Sequence, residues 1–411
     1  MNTTPVGNRL HIGIFGKRNV GKSSLINALT GQTVAIVSDV AGTTTDPVGK
    51  TMEISGIGPV YIYDTAGLDD TGELGLLRVE RTRQIIRKIN LAVLVTTGQD
   101  FDSGDEALIR ELLGQGRAVL VFFNKSDALP PDAAQIQRVA ALGVPYVALS
   151  CRTGDNIDAA KKLIVEAGSN ILVESETIIG DLISRGDIVL LIVPIDTGAP
   201  KGRLILPQVQ VIRDVLDNDA VAVTAKESQI ECALRGLSRK PALVICDSQV
   251  VLKVSNDIPD DVKFTTFSIL FSRQKGDLAE FVRGVRRIDS LRDGDKVLIL
   301  EACTHHPMPD DIGRIKLPRW IRSYTGKNII FETNAGPLVD KDISRYALVI
   351  SCGGCMINRQ EMLARIGDAQ SRGVPITNYG IAISFVHGVL KRALFPFPYE
   401  QSLLDSRQIT V

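Results

Sequence analysis

Apolar and polar positions divide this chain into three stretches of alternating strand-like and helix-like segments. Leu10–Phe15 (apolar but for His11), Val60–Tyr63 and Leu120–Phe123 are short, largely apolar runs, the pattern of strands covered on both faces. A helix is expected to begin near Ser23, and another to end near Gly168, closing the first stretch. The polar segment Val173–Asp181 then reads as a linker. Beyond it, Ile188–Ile195, Ala220–Ala225 and Ala242–Asp247 suit buried strands, and the amphipathic stretches Pro207–Leu216 and Glu227–Leu237 alternate with them. That β-α-β-α-β rhythm predicts a small parallel sheet. In the last third, Lys296–Ala302 and Tyr346–Ser351 read as strands followed by helices, with a further strand and helix around Pro375–Tyr379 and Ile383–Leu394. The expected fold class is α/β in three domains: a Rossmann-like domain over 1–170 and two smaller parallel-sheet domains over 171–262 and 263–411.

Composition narrows the function classes. The chain has 411 residues, which suits two to four domains, and 44% of them are hydrophobic. Lys+Arg and Asp+Glu both count 47, so bulk charge gives no drive toward nucleic acid, and no nucleic-acid partner is expected. The longest apolar run, Ile188–Ile195, falls far short of the ~20 residues a bilayer demands. No membrane association and a cytoplasmic location are expected. Six cysteines in so long a chain make no disulfide framework, and a reducing compartment suits them better.

The first strand runs directly into Gly16-Lys17-Arg18-Asn19-Val20-Gly21-Lys22-Ser23, a G-x-x-x-x-G-K-S loop between strand and helix. Its glycines allow backbone N–H groups to curl around phosphate oxygens, and the helix N-terminus adds positive partial charge. Lys22 is expected on the β- and γ-phosphates and Ser23 on Mg²⁺, with Gly16, Asn19, Val20, Gly21 and Ser24 completing the phosphate side. Asp64-Thr65-Ala66-Gly67 follows the second strand: Asp64 should hold Mg²⁺ through water, and the Gly67 amide should sense the γ-phosphate. Asn124-Lys125-Ser126-Asp127 follows the third, where the Asp127 carboxylate can accept the N1 and exocyclic amino protons that distinguish guanine from adenine. Ser150-Cys151-Arg152 stands where a second base-contacting loop is expected, with Ser150 and Cys151 as the candidate base contacts. These motifs, in order, predict a GTPase that hydrolyses GTP to GDP and phosphate.

Within Ala41-Gly42-Thr43-Thr44-Thr45-Asp46, Thr44 is the first candidate to complete the Mg²⁺ shell, Thr43 the second. Lys22, Thr44 and Gly67 form the expected catalytic set. Leu68 stands where Ras-type enzymes carry a water-orienting Gln, so slow intrinsic hydrolysis is expected. This domain resembles the translation-factor-like GTPases that include tRNA-modifying and ribosome-assembly members. Several of those hold a potassium ion partly through a P-loop asparagine, and Asn19 occupies that position. The resemblance implies potassium-stimulated hydrolysis; the competing reading is that Asn19 only supports the turn.

The middle stretch carries nothing that looks catalytic, and an interaction or dimerisation role is its default. Buried thiols are expected at Cys232 and Cys246. Chemistry returns at Cys303-Thr304-His305-His306 and Ser351-Cys352-Gly353-Gly354-Cys355. Both segments follow the carboxyl ends of expected strands, which converge on one crevice in a parallel sheet. Three chemistries remain open on the residues alone: a zinc site of three cysteines with His305 or His306, a redox C-x-x-C pair, or an iron–sulfur cluster on three thiolates.

The whole order of motifs resembles the HydF family, the maturation GTPases of FeFe-hydrogenases. Besides the cysteines, the resemblance rests on Ala41–Pro47, Val193-Pro194-Ile195-Asp196, Gly198–Arg203, Asp311-Ile312-Gly313-Arg314, Pro318-Arg319-Trp320 and Thr377-Asn378-Tyr379-Gly380. It implies a scaffold that binds a 4Fe-4S cluster through Cys303, Cys352 and Cys355. Such a scaffold receives a transient diiron subcluster from two radical-SAM maturases and delivers it to apo FeFe-hydrogenase. It also implies a homodimer formed by the middle domain. His305 is the first candidate for the fourth cluster ligand, with Asp310 and Asp311 as alternatives. Two departures stand out: Ser351 replaces a histidine that many members carry before C-G-G-C, and Ala66 replaces the proline of D-T-P-G. The alternative reading is a tRNA-modification or ribosome-assembly GTPase with a zinc module.

Overall fold

The computed structural model describes residues 6–30, 49–65, 82–173, 177–195, 204–302, 311–336, 342–354 and 357–405. The chain forms two compact units, 1–175 and 176–411.

The first unit is built on a six-stranded sheet of β1 (Leu10–Phe15), β2 (Gly49–Ile54), β3 (Gly58–Asp64), β4 (Leu91–Thr96), β5 (Ala118–Phe123) and β6 (Tyr146–Ala148). Its order is β2-β3-β1-β4-β5-β6, and only the β2–β3 pairing is antiparallel. Every residue of β1 and β4 is buried, as central strands with helices on both faces require. One core fills each face: Ile12, Leu25 and Phe122 on one side, Phe15, Leu94 and Phe123 on the other. Helix Ser103–Gly114 opens with a reciprocal Asp102–Asp105 capping box, and Asp132 with Gln135 does the same for Ala133–Ala141. The last helix runs to Val173, five residues past its expected end near Gly168.

The second unit holds two four-stranded, wholly parallel sheets. The middle sheet comprises β7 (Ile188–Ile192), β8 (Val221–Ala225), β9 (Leu243–Cys246) and β10 (Phe264–Thr266), ordered β10-β9-β7-β8. The last comprises β11 (Lys296–Glu301), β12 (Ile330–Ala335), β13 (Leu348–Ser351) and β14 (Ile376–Asn378), ordered β12-β11-β13-β14. One continuous hydrophobic core runs through both, joining Leu191, Phe264 and Phe267 to Ile299's neighbours Leu298 and Leu300 and to Ile376.

Several local expectations shift. The middle sheet takes its edge strand β10 from beyond residue 262, because Phe264–Thr266 pairs with Val244–Cys246. Within the expected linker, Ile178 and Ile179 are buried in the second unit's core. Strand β8 was expected to be buried, but it forms a sheet edge and Val221 is 50% exposed. Cys246 is buried as expected, whereas Cys232 is exposed on the short helix Ile230–Gly236. The helix expected over Ile383–Leu394 is two pieces, Tyr379–Val386 and Leu390–Ala393, parted at Gly388, which adopts a φ of 73°.

Candidate functional site

The P-loop leaves β1 at Gly16 and enters helix Lys22–Thr30. Only glycine fits at two of its positions. A Cβ at Gly16 would fall 2.1 Å from the Val95 carbonyl oxygen, and one at Gly21 2.1 Å from Asn124 Nδ2. Lys22 Nζ donates to the Gly16 and Lys17 carbonyls at 2.8 and 2.7 Å, so its ammonium spans the loop. Lys17 points the other way and pairs with Asp102 at 2.6 Å, tying the loop to the capping residue of helix Ser103–Gly114. Asn19 has a φ of 62°, a left-handed turn that asparagine tolerates well. It therefore has a backbone role whatever else it does.

Two residues 41 positions apart meet at the loop's other edge: Ser23 Oγ donates to Asp64 Oδ2 at 3.2 Å. A hydroxyl and a carboxylate so placed are hard oxygen donors of the kind Mg²⁺ prefers. Thr43, Thr44 and Gly67 lie outside the described residues.

The base side is a cleft of about 410 Å³ lined by Gly21, Ser24, Asn124, Lys125, Asp127, Ala128, Ser150, Cys151 and Arg152. Asn124 holds it together, donating from Nδ2 to the Val20 carbonyl at 2.8 Å and accepting at Oδ1 from the Cys151 N–H at 3.1 Å. Asp127 accepts from Ser150 Oγ at 2.7 Å and is ion-paired with Arg152, and these bonds hold its carboxyl below the usual range. Lys125, with a φ of 59°, makes the turn that brings Asp127 to the cleft. Burial pushes the Cys151 thiol up to about 11, so it remains a neutral lining group. Ala128 carries no sequence signal of a site role, whereas Arg152 lies within the Ser150-Cys151-Arg152 loop expected at the base.

The second unit concentrates polar side chains at the carboxyl ends of β11 and β13. In the order β12-β11-β13-β14 the chain moves to one side of β11 and then returns to the other, so its topological switch point lies between β11 and β13. Cys352 follows β13 there, and its Sγ accepts the Ala302 N–H at 3.2 Å. Ala302 immediately precedes Cys303 in the sequence. Cys303, His305, His306, Asp310 and Cys355 lie outside the described residues. Asp311 Oδ1 accepts the Arg314 N–H at 2.8 Å, starting the π-helical turn Ile312–Lys316. Such turns recur near functional sites. The buried Glu301 accepts from Arg314 Nη2 at 2.7 Å. Tyr379 lies over this turn, and burial raises its phenol far above the ordinary range. Lys275, 6% exposed, donates to the Gly354 and Ile357 carbonyls, both at 3.3 Å. Lys275 and Tyr379 carry no motif that would mark Lys275 from sequence, and Tyr379 entered only within Thr377–Gly380.

Of the expected cysteine ligands only Cys352 is described: its sulfur accepts a backbone N–H at a switch point, beside Gly353, whose would-be Cβ meets no atom within 4 Å, an environment compatible with a cluster ligand.

Comparison with known proteins places the chain. Residues 178–276 match the hydrogen maturase F dimerization domain, and residues 279–396 match its tetramerization domain. The chain belongs to the hydrogen maturase F (HydF) family. Residues 11–125 match the 50S ribosome-binding GTPase family, so this HydF-family chain carries a GTPase domain ahead of two domains named for self-association. The tRNA modification GTPase MnmE of Chromobacterium violaceum is 40% identical over 158 residues, covering 38% of this chain and 34% of MnmE. MnmE of Laribacter hongkongensis is 36% identical over 159 residues, covering 38% and 34%. The chain thus spans about a third of the length of these curated relatives, and the likeness is confined to the GTPase domain. Among solved structures, Aquifex aeolicus Era is 20% identical over 53% of this chain and 92% of its own, with a TM-score of 0.33. The G domain of T. maritima FeoB is 24% identical over 39% and 99%, with a TM-score of 0.31. Among the described residues, no helix is long and apolar enough to cross a membrane.

Proposed function

We propose that this chain is a GTP-dependent scaffold in FeFe-hydrogenase maturation. Cys303, Cys352 and Cys355 would hold a 4Fe-4S cluster, with His305 as fourth ligand. The observation that carries this reading is the Ala302 N–H on Cys352 Sγ, a bond between the residue that precedes Cys303 in the sequence and the residue that opens C-G-G-C. The cluster would supply an iron corner on which a diiron cargo docks. In this reading two radical-SAM maturases furnish that cargo and apo FeFe-hydrogenase receives it, while the middle domain forms a homodimer in the cytoplasm.

The chain's own reaction is GTP hydrolysis. Asp127 selects guanine, with Asn124, Lys125, Ser150 and Cys151 shaping its side of the cleft. The P-loop amides from Gly16 to Ser24 surround the phosphates, and Lys22 offsets the charge that develops as water attacks the γ-phosphate. Ser23, Asp64 and Thr44 hold Mg²⁺, the Gly67 amide senses the γ-phosphate, and Asn19 contributes to a potassium site. The nucleotide state gates partner binding and cargo release. The domains are 1–170 for GTP, a dimerisation domain that begins at 171 and takes in β10 beyond residue 262, and a cluster domain after it.

Anaerobic purification with iron, sulfide and zinc analysis, and EPR after reduction, tests this proposal. The expected result is iron and sulfide at the level of one 4Fe-4S cluster, lost in Cys352→Ser. Stoichiometric zinc without iron would overturn it in favour of the zinc-module GTPase.

A further inference from the structure

The two sheets of the second unit are built alike. In each, the first strand is central, the second lies on one side of it, and the third and fourth lie on the other. The first strand of each follows a left-handed glycine, Gly186 with a φ of 79° and Gly294 with a φ of 84°. An aspartate one residue later closes the same turn: Asp187 accepts from Ser184 N at 2.8 Å, and Asp295 from Arg292 N at 3.0 Å. The fourth strands end alike too. Thr266 caps the next helix through Ile269 N, and Asn378 through Ile381 N. Ser272 and Ser384 each bond back four residues, to Ser268 and Gly380. Phe264-Thr265-Thr266-Phe267-Ser268-Ile269 therefore superposes in role on Ile376-Thr377-Asn378-Tyr379-Gly380-Ile381.

This correspondence sets Phe267 against Tyr379. Phe267, 3% exposed, shows that a ring without a hydroxyl is accommodated at the corresponding position of the middle sheet. The Tyr379 hydroxyl is an addition to that ring, and it sits badly for stability. It is out of reach of solvent and has no hydrogen-bond partner among the described residues. A buried polar atom left unpaired costs free energy that phenylalanine would avoid. Its position explains the retention. Asn378 pairs with Ser351, so Tyr379 and Cys352 are the first residues beyond neighbouring strand ends. The hydroxyl oxygen would lie 2.0 Å from a Cβ on Gly313, so this glycine keeps the turn at Asp311–Arg314 close to it. The polar neighbours on that turn are engaged with one another, Arg314 with Glu301 and Asp311 with the Arg314 N–H.

We propose that the Tyr379 hydroxyl donates a hydrogen bond to a sulfur of the iron–sulfur cluster seated at Cys352. The inference rests on the cluster reading above. Hydrogen bonds to cluster sulfurs raise the reduction potential. Tyr379 would thus make the cluster easier to reduce than the three thiolates alone would.

The test uses the full chain and its Tyr379→Phe variant, each reconstituted anaerobically with ferrous iron and sulfide. Phenylalanine is the residue the middle sheet already tolerates at this position. Expected are equal iron and sulfide contents and a negative shift of midpoint potential in the variant. Resonance Raman spectra supply a second readout: transfer to D₂O should shift Fe–S stretching bands more in the unmodified protein than in the variant. Equal potentials and equal isotope shifts would overturn the inference and leave the cluster reading standing. So would a variant that no longer takes up iron, because a hydrogen bond to sulfur is not what holds the metal. Failure of the unmodified protein to take up iron and sulfide overturns both.

Discussion

Ser23 Oγ lies 3.2 Å from Asp64 Oδ2, linking the start of the P-loop helix to the end of β3. Parallel pairing of β1 with β3, which sets Ile14 opposite Asp64, makes the approach possible. Asp64→Asn should keep an acceptor for the Ser23 hydroxyl but remove the one negative charge this pair offers to Mg²⁺. We expect GTP turnover to fall roughly 100-fold while GDP affinity changes little. Phosphate release and nucleotide titration together check both halves.

On the base side, Asp127→Asn removes the charged acceptor held by Ser150 and Arg152. GTP affinity should fall about 100-fold, and xanthosine triphosphate, whose base offers the reversed donor pattern, should bind better than GTP. Competition binding with the two nucleotides measures the exchange.

Asn19 has two possible duties, a left-handed turn and a potassium contact. Asn19→Gly separates them, since glycine accepts the φ of 62° but has no side-chain oxygen. Hydrolysis should be faster in potassium than in sodium for the unmodified protein, and equal in both for the variant. Equal turnover in the unmodified protein would remove potassium from the mechanism.

His11 is buried beneath Tyr61 and Tyr63. Its Nε2–H donates to the Val6 carbonyl at 2.8 Å, which leaves Nδ1 to accept from the Tyr63 hydroxyl at 3.0 Å. Burial lowers its pKa from 6.5 to about 4. The unfolded imidazole gains its proton first as pH falls, so this contribution is whole above pH 6.5 and is lost on the way down to pH 4. The loss is on the order of 3 kcal/mol. Thermal unfolding of the GTPase domain at pH 7 and pH 4.5 should show a smaller difference for His11→Gln than for the unmodified chain.

Lys275 reaches from the end of helix Phe267–Lys275 to the carbonyls of Gly354 and Ile357. Lys275→Met keeps the apolar stem and deprives both oxygens of this donor. A destabilisation of about 2–4 kcal/mol in the second unit is expected, with poorer retention of iron. Differential scanning calorimetry and metal analysis read the two effects.

What the sequence determined by itself was whatever contiguous residues accomplish. The P-loop, the Asp64 turn and the Asn124–Asp127 turn are short backbone geometries written in glycines and polar side chains, so their chemistry is legible in order along the chain. The longer apolar runs likewise announce β1, β5, β7 and β11, because a strand buried on both faces needs no partner to explain its composition. Three-residue strands such as β6 and β10 are too short to show a period, and the exposure of β8 depends on which strand lies outermost. The motifs assign Ser23 and Asp64 to one metal and Asn124 and Cys151 to one base, but only the tertiary structure decided the bonds made across distance: Ser23 to Asp64, Asn124 to Val20 and Cys151, Lys275 to Gly354. It also decided the meaning of Tyr379. Along the chain it is only one member of Thr377-Asn378-Tyr379-Gly380 until strand register sets it beside Cys352 and the middle sheet supplies Phe267 for comparison. A residue's type is local, but whether its polar atom finds a partner depends on which strand ends the fold brings together.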